Sequence, residues 1–434
     1  MTRSPGTEDS PLCNEAVDRR IQRHRTAEVV LTVLDAAGRP AAHASVTVEM
    51  VRHRFLFGCN AFGLGGDVFA PDGFSTEDPL NRLYAERYAA LLNYATLPFY
   101  WGSYEARRGT TNEPRVRRMA EWCRDHGIAT KGHPLCWHEG EPTWLTELPL
   151  AEIEPLQMAR IRRECGGFAG LVDRWDVVNE AVVMPGSQGG KPVTSQLCRK
   201  LGQVGLLKKC FAEAVKANPD AVLLLNDFVT DQRFADLIRE CLDAGVRIDV
   251  IGLQSHMHTG YRGAEWAWEV CERFAPFGKP LHFTELTILS GAPKTDDDWH
   301  AHHPGWDSTP EGEERQAAQV TELYRLLYSH PAVEAVTWWD FSDLSAWQGA
   351  PAGLIRKDMS PKPAYEALMD LVKRQWWTGP LRLRTDENGN ATFRGYLGAY
   401  TLESRDGNAS FDLAKPGSAA VSVGVLPAAP GRRS

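Results

Sequence analysis

Short apolar runs alternate with amphipathic stretches along most of the chain. Helical periodicity follows most of the runs, at Leu80–Leu92, Val116–His126, Gln196–Ala217, Arg233–Ala244, Ala264–Phe274, Glu311–Ser329 and Pro363–Lys373. The runs themselves are almost continuously apolar, which is typical of parallel strands covered by helices on both faces. They predict strands at 55–62, 94–100, 129–136, 174–180, 221–227, 249–256, 280–286 and 335–341. This succession of strand–helix units predicts an α/β fold, a (β/α)8 or TIM barrel.

The competing fold for such a pattern is a doubly wound open sheet. That fold usually binds nucleotides through a glycine-rich turn after its first strand. No such turn follows the strand predicted at 55–62. The barrel is therefore the favoured architecture.

The two ends of the chain carry a different pattern of short alternating strands. These are predicted at Val29–Leu34, Ala44–Met50, Leu381–Leu383, Ala391–Phe393, Ala399–Leu402 and Val421–Val423. Each end has too few strands to bury a core alone, so we expect both to pair as one small β-sandwich. The predicted organisation is a polar lead-in at 1–26, a β segment at 27–54, the barrel at 55–376, and a second β segment at 377–434 with a disordered tail at 426–434.

Composition narrows the class of protein. Lys and Arg number 48 against 56 Asp and Glu, a net charge of −8, which lacks the basic footprint that nucleic acid requires. The nine scattered cysteines argue against a disulfide framework. Residues 1–26 show no secretory signal, and no apolar run is long enough to span a membrane. We expect a cytoplasmic protein without a membrane partner, or a secreted one if a leader was removed; the sequence leaves its oligomeric state open.

Two predicted strands end in glutamate, in the runs Trp175–Ala181 and Phe283–Thr287. A carboxylate at the end of a buried strand is costly unless it is paired or functional. Two salt-bridged structural acids are one interpretation. The other is the pair of carboxylates that cleaves glycosidic bonds. The surrounding strand ends favour the second interpretation.

Polar and aromatic residues follow six of the predicted strands at the same end. In a (β/α)8 barrel this carboxyl end of the strands holds the active site. The residues concerned are Lys131–His138, Asn179 and Glu180, Asn226 and Asp227, Gly252–His256, Glu285, and Trp338–Asp343 with Trp347 just beyond. Together they predict one site.

These motifs resemble glycoside hydrolase family 10, the endo-β-1,4-xylanase family of retaining (β/α)8 glycosidases. The resemblance covers roughly residues 52–374 and leaves out the terminal β segments. It rests on Lys131–His133 with Trp137 and His138, Trp175–Ala181, Gly252–His256, Thr284 with Glu285, Trp339 with Asp343 and Trp347, and Pro361–Tyr365.

The resemblance implies that Glu180 is the general acid/base and Glu285 the nucleophile. Retention of configuration needs these carboxyl groups about 5–5.5 Å apart, and two like charges so close raise one pKa. The resemblance also implies substrate-binding roles for His133, Trp137, Asn179, Gln254, His256, Trp339 and Trp347. The resemblance implies no cofactor and no metal. It implies that the binding partner of the protein is an oligosaccharide or glycoside substrate.

Two departures from the family pattern change the expected substrate. Where the family has Glu, Asn and Lys that grip distal sugars, this chain has the apolar run Thr96–Trp101 followed by Glu105. Thr287 stands where the family has an Asp that would partner His256. Sites that hydrogen-bond sugar hydroxyls discriminate strongly, so losing those groups changes which sugar is accepted. We therefore expect hydrolysis of short β-linked oligosaccharides or small glycosides. A conventional endo-xylanase and a non-catalytic sugar-binding barrel remain alternatives.

The long segment Ser290–Pro310 contains several His and Asp residues. Their spacing matches no zinc signature. We expect a solvated loop beside the leaving group rather than a metal site.

Overall fold

The computed structural model describes residues 10–64 and 78–425. The tail expected to be disordered, 426–434, lies outside these ranges. The chain forms two compact units. One comprises Met1–Leu56, Thr321–Pro331 and Ala367–Ser434, and the other comprises Phe57–Val320 and Ala332–Glu366.

The strands, numbered in chain order, are β1 Thr26–Leu34, β2 Ser45–His53, β3 Leu56–Asn60, β4 Tyr94–Pro98, β5 Ala129–His133, β6 Arg174–Asn179, β7 Val222–Asp227, β8 Val250–His256, β9 Leu281–Thr287, β10 Val333–Trp338, β11 Leu381–Arg384, β12 Asn390–Tyr396, β13 Gly398–Ser404, β14 Gly407–Leu413 and β15 Gly417–Gly424. The helices are α1 Asn14–Arg25, α2 Pro79–Leu91, α3 Trp101–Tyr104, α4 Glu113–Asp125, α5 Leu150–Gly167, α6 Val193–Leu201, α7 Gln203–Ala217, α8 Gln232–Asp243, α9 Gly263–Phe274, α10 Pro310–Ser329 and α11 Pro363–Asp370. None of these helices combines the length and apolar character needed to cross a bilayer.

Strands β3 to β10 close into a barrel in the order β10-β3-β4-β5-β6-β7-β8-β9. The neighbouring strands from β3 round to β10 run parallel. Every residue of β4 and β9 is buried, including the polar residues of β9. The predicted (β/α)8 barrel is confirmed, and each predicted strand window overlaps an observed strand. Parallel topology brings the carboxyl ends of all eight strands to one face.

One predicted helix is wrong. The stretch Gln196–Ala217 is not continuous, because Gly202 lies between α6 and α7 with a φ of 73°. That left-handed conformation ends a helix and favours glycine. The chain therefore turns once within the predicted helical window.

The terminal strands form two facing sheets with one shared core. One sheet has the order β12-β1-β15 and the other β11-β2-β13-β14. Val29 pairs with Phe393 in the first sheet, and Val48 pairs with Leu381 and Leu402 in the second. These apolar side chains belong to a single cluster or pack against it. The predicted sandwich built from both ends of the chain is confirmed, with β14 as an additional strand.

Candidate active site

A cavity of about 1260 Å³ opens at the carboxyl ends of the barrel strands. The structure brings all nine residues predicted for the site to its wall, namely His133, Trp137, Asn179, Glu180, Gln254, His256, Glu285, Trp339 and Trp347. They come from five different strand ends, those of β5, β6, β8, β9 and β10, so the closed barrel is what gathers them.

Glu180 follows the last residue of β6 and has a φ of 56°, which is unusual for a residue other than glycine. Its Oε2 accepts a hydrogen bond from Trp137 Nε1 at 2.8 Å. Its Oε1 accepts from Gln254 Nε2 at 3.1 Å and from Asn179 Nδ2 at 3.2 Å. Burial raises the pKa of Glu180 to about 8, although the bonds from Gln254 and Trp137 favour the ionised form. This carboxyl group can therefore hold a proton near neutral pH.

Glu285 lies within β9 and is 4% exposed. Its Oε1 accepts a hydrogen bond from Asn226 Nδ2 at 2.8 Å, and His256 Nε2 donates to Oε2 at 3.1 Å. Burial alone would raise its pKa. The nearby His133, the bond and charge of His256, and Lys131 outweigh burial and hold the pKa of Glu285 below its ordinary value. In the pH range between the two pKa values, Glu285 is thus ionised while Glu180 is protonated.

Amide side chains connect the two carboxyl groups. Asn226 Nδ2 donates to Asn179 Oδ1 at 2.8 Å as well as to Glu285. Gln254 Nε2 donates to Asn179 Oδ1 at 3.2 Å and also reaches Glu180. Asn226 lies at a predicted strand end, and the sequence alone assigns it no role in the site. Its signal was an amide closing the buried apolar run of β7.

A buried carboxylate orients His133. His133 Nδ1 donates to Asp176 Oδ2 at 2.7 Å, and Lys131 pairs with the same oxygen. Burial would raise the pKa of Asp176, but Lys131 and His133 hold it below its ordinary value. Sequence reasoning missed Asp176, a charged residue within an otherwise apolar strand.

His256 lies between Glu285 and Thr287. Its Nδ1 is 3.0 Å from Thr287 Oγ1, while its Nε2 donates to Glu285. Thr287 thus occupies the position beside the ring where the family resemblance led us to expect an Asp. A hydroxyl can donate to the neutral ring, so this arrangement does not require a cationic His256.

Aromatic rings form the wall beside β3 and β4. Tyr100 lies in the cavity, with its ring centroid 5.4 Å from that of His133 and 5.7 Å from those of Trp137 and Phe62. Phe62 in turn meets Trp339 edge-on at 5.3 Å. Sequence reasoning missed Phe62 and assigned no role to Tyr100. The run that includes β4 and ends at Trp101 thus presents aromatic surface to the cavity at Tyr100.

The long segment after β9 forms the opposite rim. Trp299 stacks on Trp347 with centroids 6.0 Å apart, and both side chains remain more than a third exposed. Lys294 lies 5.1 Å from the Trp299 ring and binds Asp296 within the same segment. Within residues 10–64 and 78–425, no three His, Cys, Asp or Glu side chains form a group that could hold a metal.

A closed parallel barrel with two strand-end glutamates in an aromatic cleft defines the class of (β/α)8 glycoside hydrolases. The profile of glycosyl hydrolase family 10 matches residues 95–371, and the chain belongs to this family.

Curated relatives share about a quarter of their residues with the chain. Endo-1,4-beta-xylanase B of Thermotoga neapolitana is 28% identical over 291 residues, which are 63% of this chain and 78% of the relative. Anti-sigma-I factor RsgI6 of Acetivibrio thermocellus is 24% identical over 403 residues, which are 89% of this chain but 46% of the relative. The chain thus spans less than half of the second relative.

Solved structures share the fold. Xylanase 10B from Thermotoga petrophila in complex with xylobiose superposes with a TM-score of 0.60 at 24% identity, covering 74% of this chain and 95% of the other. A family 10 structure from Paenibacillus barcinonensis gives a TM-score of 0.61 at 21% identity, covering 74% and 96%.

Proposed function

We propose that the protein is a retaining β-glycosidase that cleaves short β-linked oligosaccharides or small glycosides. One observation carries the proposal: Glu180 and Glu285 line one cavity, and their pKa values move in opposite directions, the first up to about 8 and the second down. Double displacement needs one protonated and one ionised carboxyl group at the same pH.

In the first step, a Glu285 oxygen attacks the anomeric carbon as the bond to the leaving oxygen breaks. Glu180 gives its proton to that oxygen, which leaves as an alcohol. Asn179 is fixed by Asn226 and Gln254, and its role is to hold the 2-hydroxyl group, a bond that strengthens in the oxocarbenium-like transition state.

In the second step, the ionised Glu180 takes a proton from water, whose oxygen attacks the anomeric carbon. The bond between sugar and Glu285 breaks, and its electron pair returns to the carboxylate. Each glutamate ends in its starting protonation state, and the sugar keeps its configuration.

The aromatic wall supports a short substrate. The resemblance assigns the run Thr96–Trp101 to distal sugars, and in this run Tyr100 lines the cavity in contact with Phe62. Aromatic faces can stack on a sugar ring but leave its hydroxyl groups without partners. The names of several relatives favour the second candidate, a β-1,4-xylanase acting on xylan. Loss of xylan viscosity would identify that activity, whereas release of monosaccharide without viscosity loss fits the proposal.

The test is nitrophenol release from aryl β-glycosides: xyloside, xylobioside, glucoside, cellobioside, arabinoside and fucoside. We expect the wild type to turn over at least one of them. Glu285→Gln should abolish turnover, and the exposed Glu265→Gln on α9 should not change it. Equal rates for wild type and Glu285→Gln would refute the proposed role. No turnover by wild type, combined with measurable sugar binding, would favour the non-catalytic barrel.

A further inference from the structure

Two residues just beyond barrel strands combine a carboxyl group with a left-handed backbone. Glu180 follows β6 with a φ of 56°, and Asp340 lies two residues after β10 with a φ of 74°. Side chains other than glycine rarely adopt this conformation, and such outliers cluster at functional sites. The mechanism above accounts for Glu180 and leaves Asp340 without a role.

Asp340 is buried, yet it lines the cavity. Its Oδ2 accepts a hydrogen bond from the backbone N–H of Trp347 at 3.0 Å. Burial raises the pKa of Asp340 to about 7, although the Trp347 N–H and the Asn60 side chain favour the ionised form, and no cation in the described part of the chain is among the causes of that shift. Asp340 is therefore a buried carboxyl group for which none of these causes is a neutralising cation. Burying such a group costs free energy of folding unless a ligand binds it.

Aromatic rings form much of the cavity wall next to Asp340. Asp340 follows Trp339, whose ring meets Phe62, and Phe62 meets Tyr100. A sugar pressed against these rings would bury hydroxyl groups, and each buried hydroxyl needs a hydrogen-bonding partner. The Asp340 carboxyl group can accept a hydrogen bond from a hydroxyl when ionised and donate one when protonated.

We propose that Asp340 is a specificity-determining residue that hydrogen-bonds a hydroxyl group of the sugar lying against the aromatic wall. The inference rests on the proposed glycosidase function and deepens it. In this proposal, the carboxyl group of Asp340 provides the selectivity for hydroxyl groups that the apolar run Thr96–Trp101 cannot provide. The class of ligand is a neutral sugar with a hydroxyl group directed at β10.

The competing explanation is structural, with Asp340 serving only to hold the Trp347 N–H and the Asn60 side chain. Asp340→Gly removes both the bond to Trp347 and the group proposed to bind sugar, and its selectivity among deoxy analogues separates the two roles. Glycine adopts a φ of 74° without strain, so the backbone is retained while the carboxyl group is lost. Gln188→Gly is the matched control, because Gln188 is exposed, has a φ of 48° and does not line the cavity.

The experiment measures kcat/KM for the accepted glycoside and for its monodeoxy analogues, with thermal melting of each variant. We expect Asp340→Gly to lower kcat/KM by roughly 10- to 100-fold, the range for a lost hydrogen bond to a charged group, with little change in Tm. One deoxy analogue should lower wild-type kcat/KM by a similar factor and leave Asp340→Gly unaffected. Gln188→Gly should match wild type.

If Asp340→Gly lost the same factor in kcat/KM for every analogue, the assignment to sugar binding would be overturned. A lowered Tm with unchanged selectivity among the analogues would overturn it as well. Failure of the underlying function has a different signature: wild type would turn over none of the glycosides. Binding of the same glycosides, measured by calorimetry, then tests Asp340 directly. Unchanged affinity in Asp340→Gly would refute the proposal, and weakened affinity would support it.

Discussion

Replacing Trp137 by phenylalanine removes one hydrogen bond from the candidate acid while keeping an aromatic ring in the cavity. Trp137 Nε1 donates to Glu180 Oε2 at 2.8 Å, and this bond favours the ionised carboxylate. Phenylalanine has no N–H, so the ionised form loses part of its stabilisation. Gln254 and Asn179 still donate to the other oxygen.

The expected size of the effect follows from two quantities. A hydrogen bond to a charged group contributes about 1.5–3 kcal/mol, whereas one to a neutral group contributes about 0.5–1.5 kcal/mol. The ionised form therefore loses roughly 1–1.5 kcal/mol more than the protonated form. Since 1.36 kcal/mol corresponds to one pKa unit, the pKa of Glu180 should rise by about 1 from its value near 8.

The assay is the pH dependence of kcat/KM, whose alkaline limb reports the acid of the free enzyme. We expect that limb to move from near pH 8 to near pH 9, whatever the loss in absolute rate from the altered sugar contact. Trp144→Phe is the control, because Trp144 Nε1 donates to the backbone oxygen of Glu105 instead. A limb that stays in place, or moves to lower pH, would refute the assignment of Glu180 as the acid.

Three further predictions concern stability and the acid limb. The pKa of Glu180 lies near 8 in the folded state, against an ordinary 4.5. The contribution of Glu180 to the free energy of unfolding is therefore lost as the pH rises from the ordinary pKa to the folded-state pKa. Glu180→Gln should then melt above wild type at pH 9, by about 1 °C per kcal/mol for a chain of 434 residues. A difference in Tm between variant and wild type that is the same at pH 9 as at low pH would contradict this. Gly132→Ala should destabilise the barrel by at least about 1–3 kcal/mol in denaturant unfolding, because its Cβ would overlap the buried ring of Trp175. Thr287→Asp should move the acid limb of kcat/KM to lower pH, since a carboxylate beside His256 favours a cationic ring, which stabilises the adjacent ionised carboxylate on β9. An acid limb that moves upward would contradict that reasoning.

The fold was predictable where the pattern was long and apolar. All eight barrel windows overlap observed strands, because buried parallel strands are apolar on both faces. Errors fall at special backbone positions. The last window extended to 341, but β10 ends at Trp338 and the chain reaches a positive φ at Asp340. β14 was missed since its residues, Gly407–Leu413, include Gly, Asn, Ser and Asp, which are poor strand formers.

The site was predictable as a set of strand ends, and all nine predicted residues line the cavity. The sequence could not indicate which side chains connect them. Asn226 bonds both Asn179 and Glu285, residues that lie 47 and 59 positions away in the chain. Such contacts depend on rotamers fixed by the closed barrel, so motif spacing alone does not reveal them.

The sandwich of terminal strands has a consequence for the order of folding. β1 and β2 lie in different sheets, and every strand paired with either of them comes from β11 onward. Val29, for example, meets Phe393 364 residues later in the chain. At a synthesis rate of about 5–20 residues per second, these apolar strands leave the ribosome roughly 20–70 s before their partners. β1 and β2 can therefore pair only after the whole barrel segment has been synthesised, and until then their edges have none of the partners they pair with in the folded sheets.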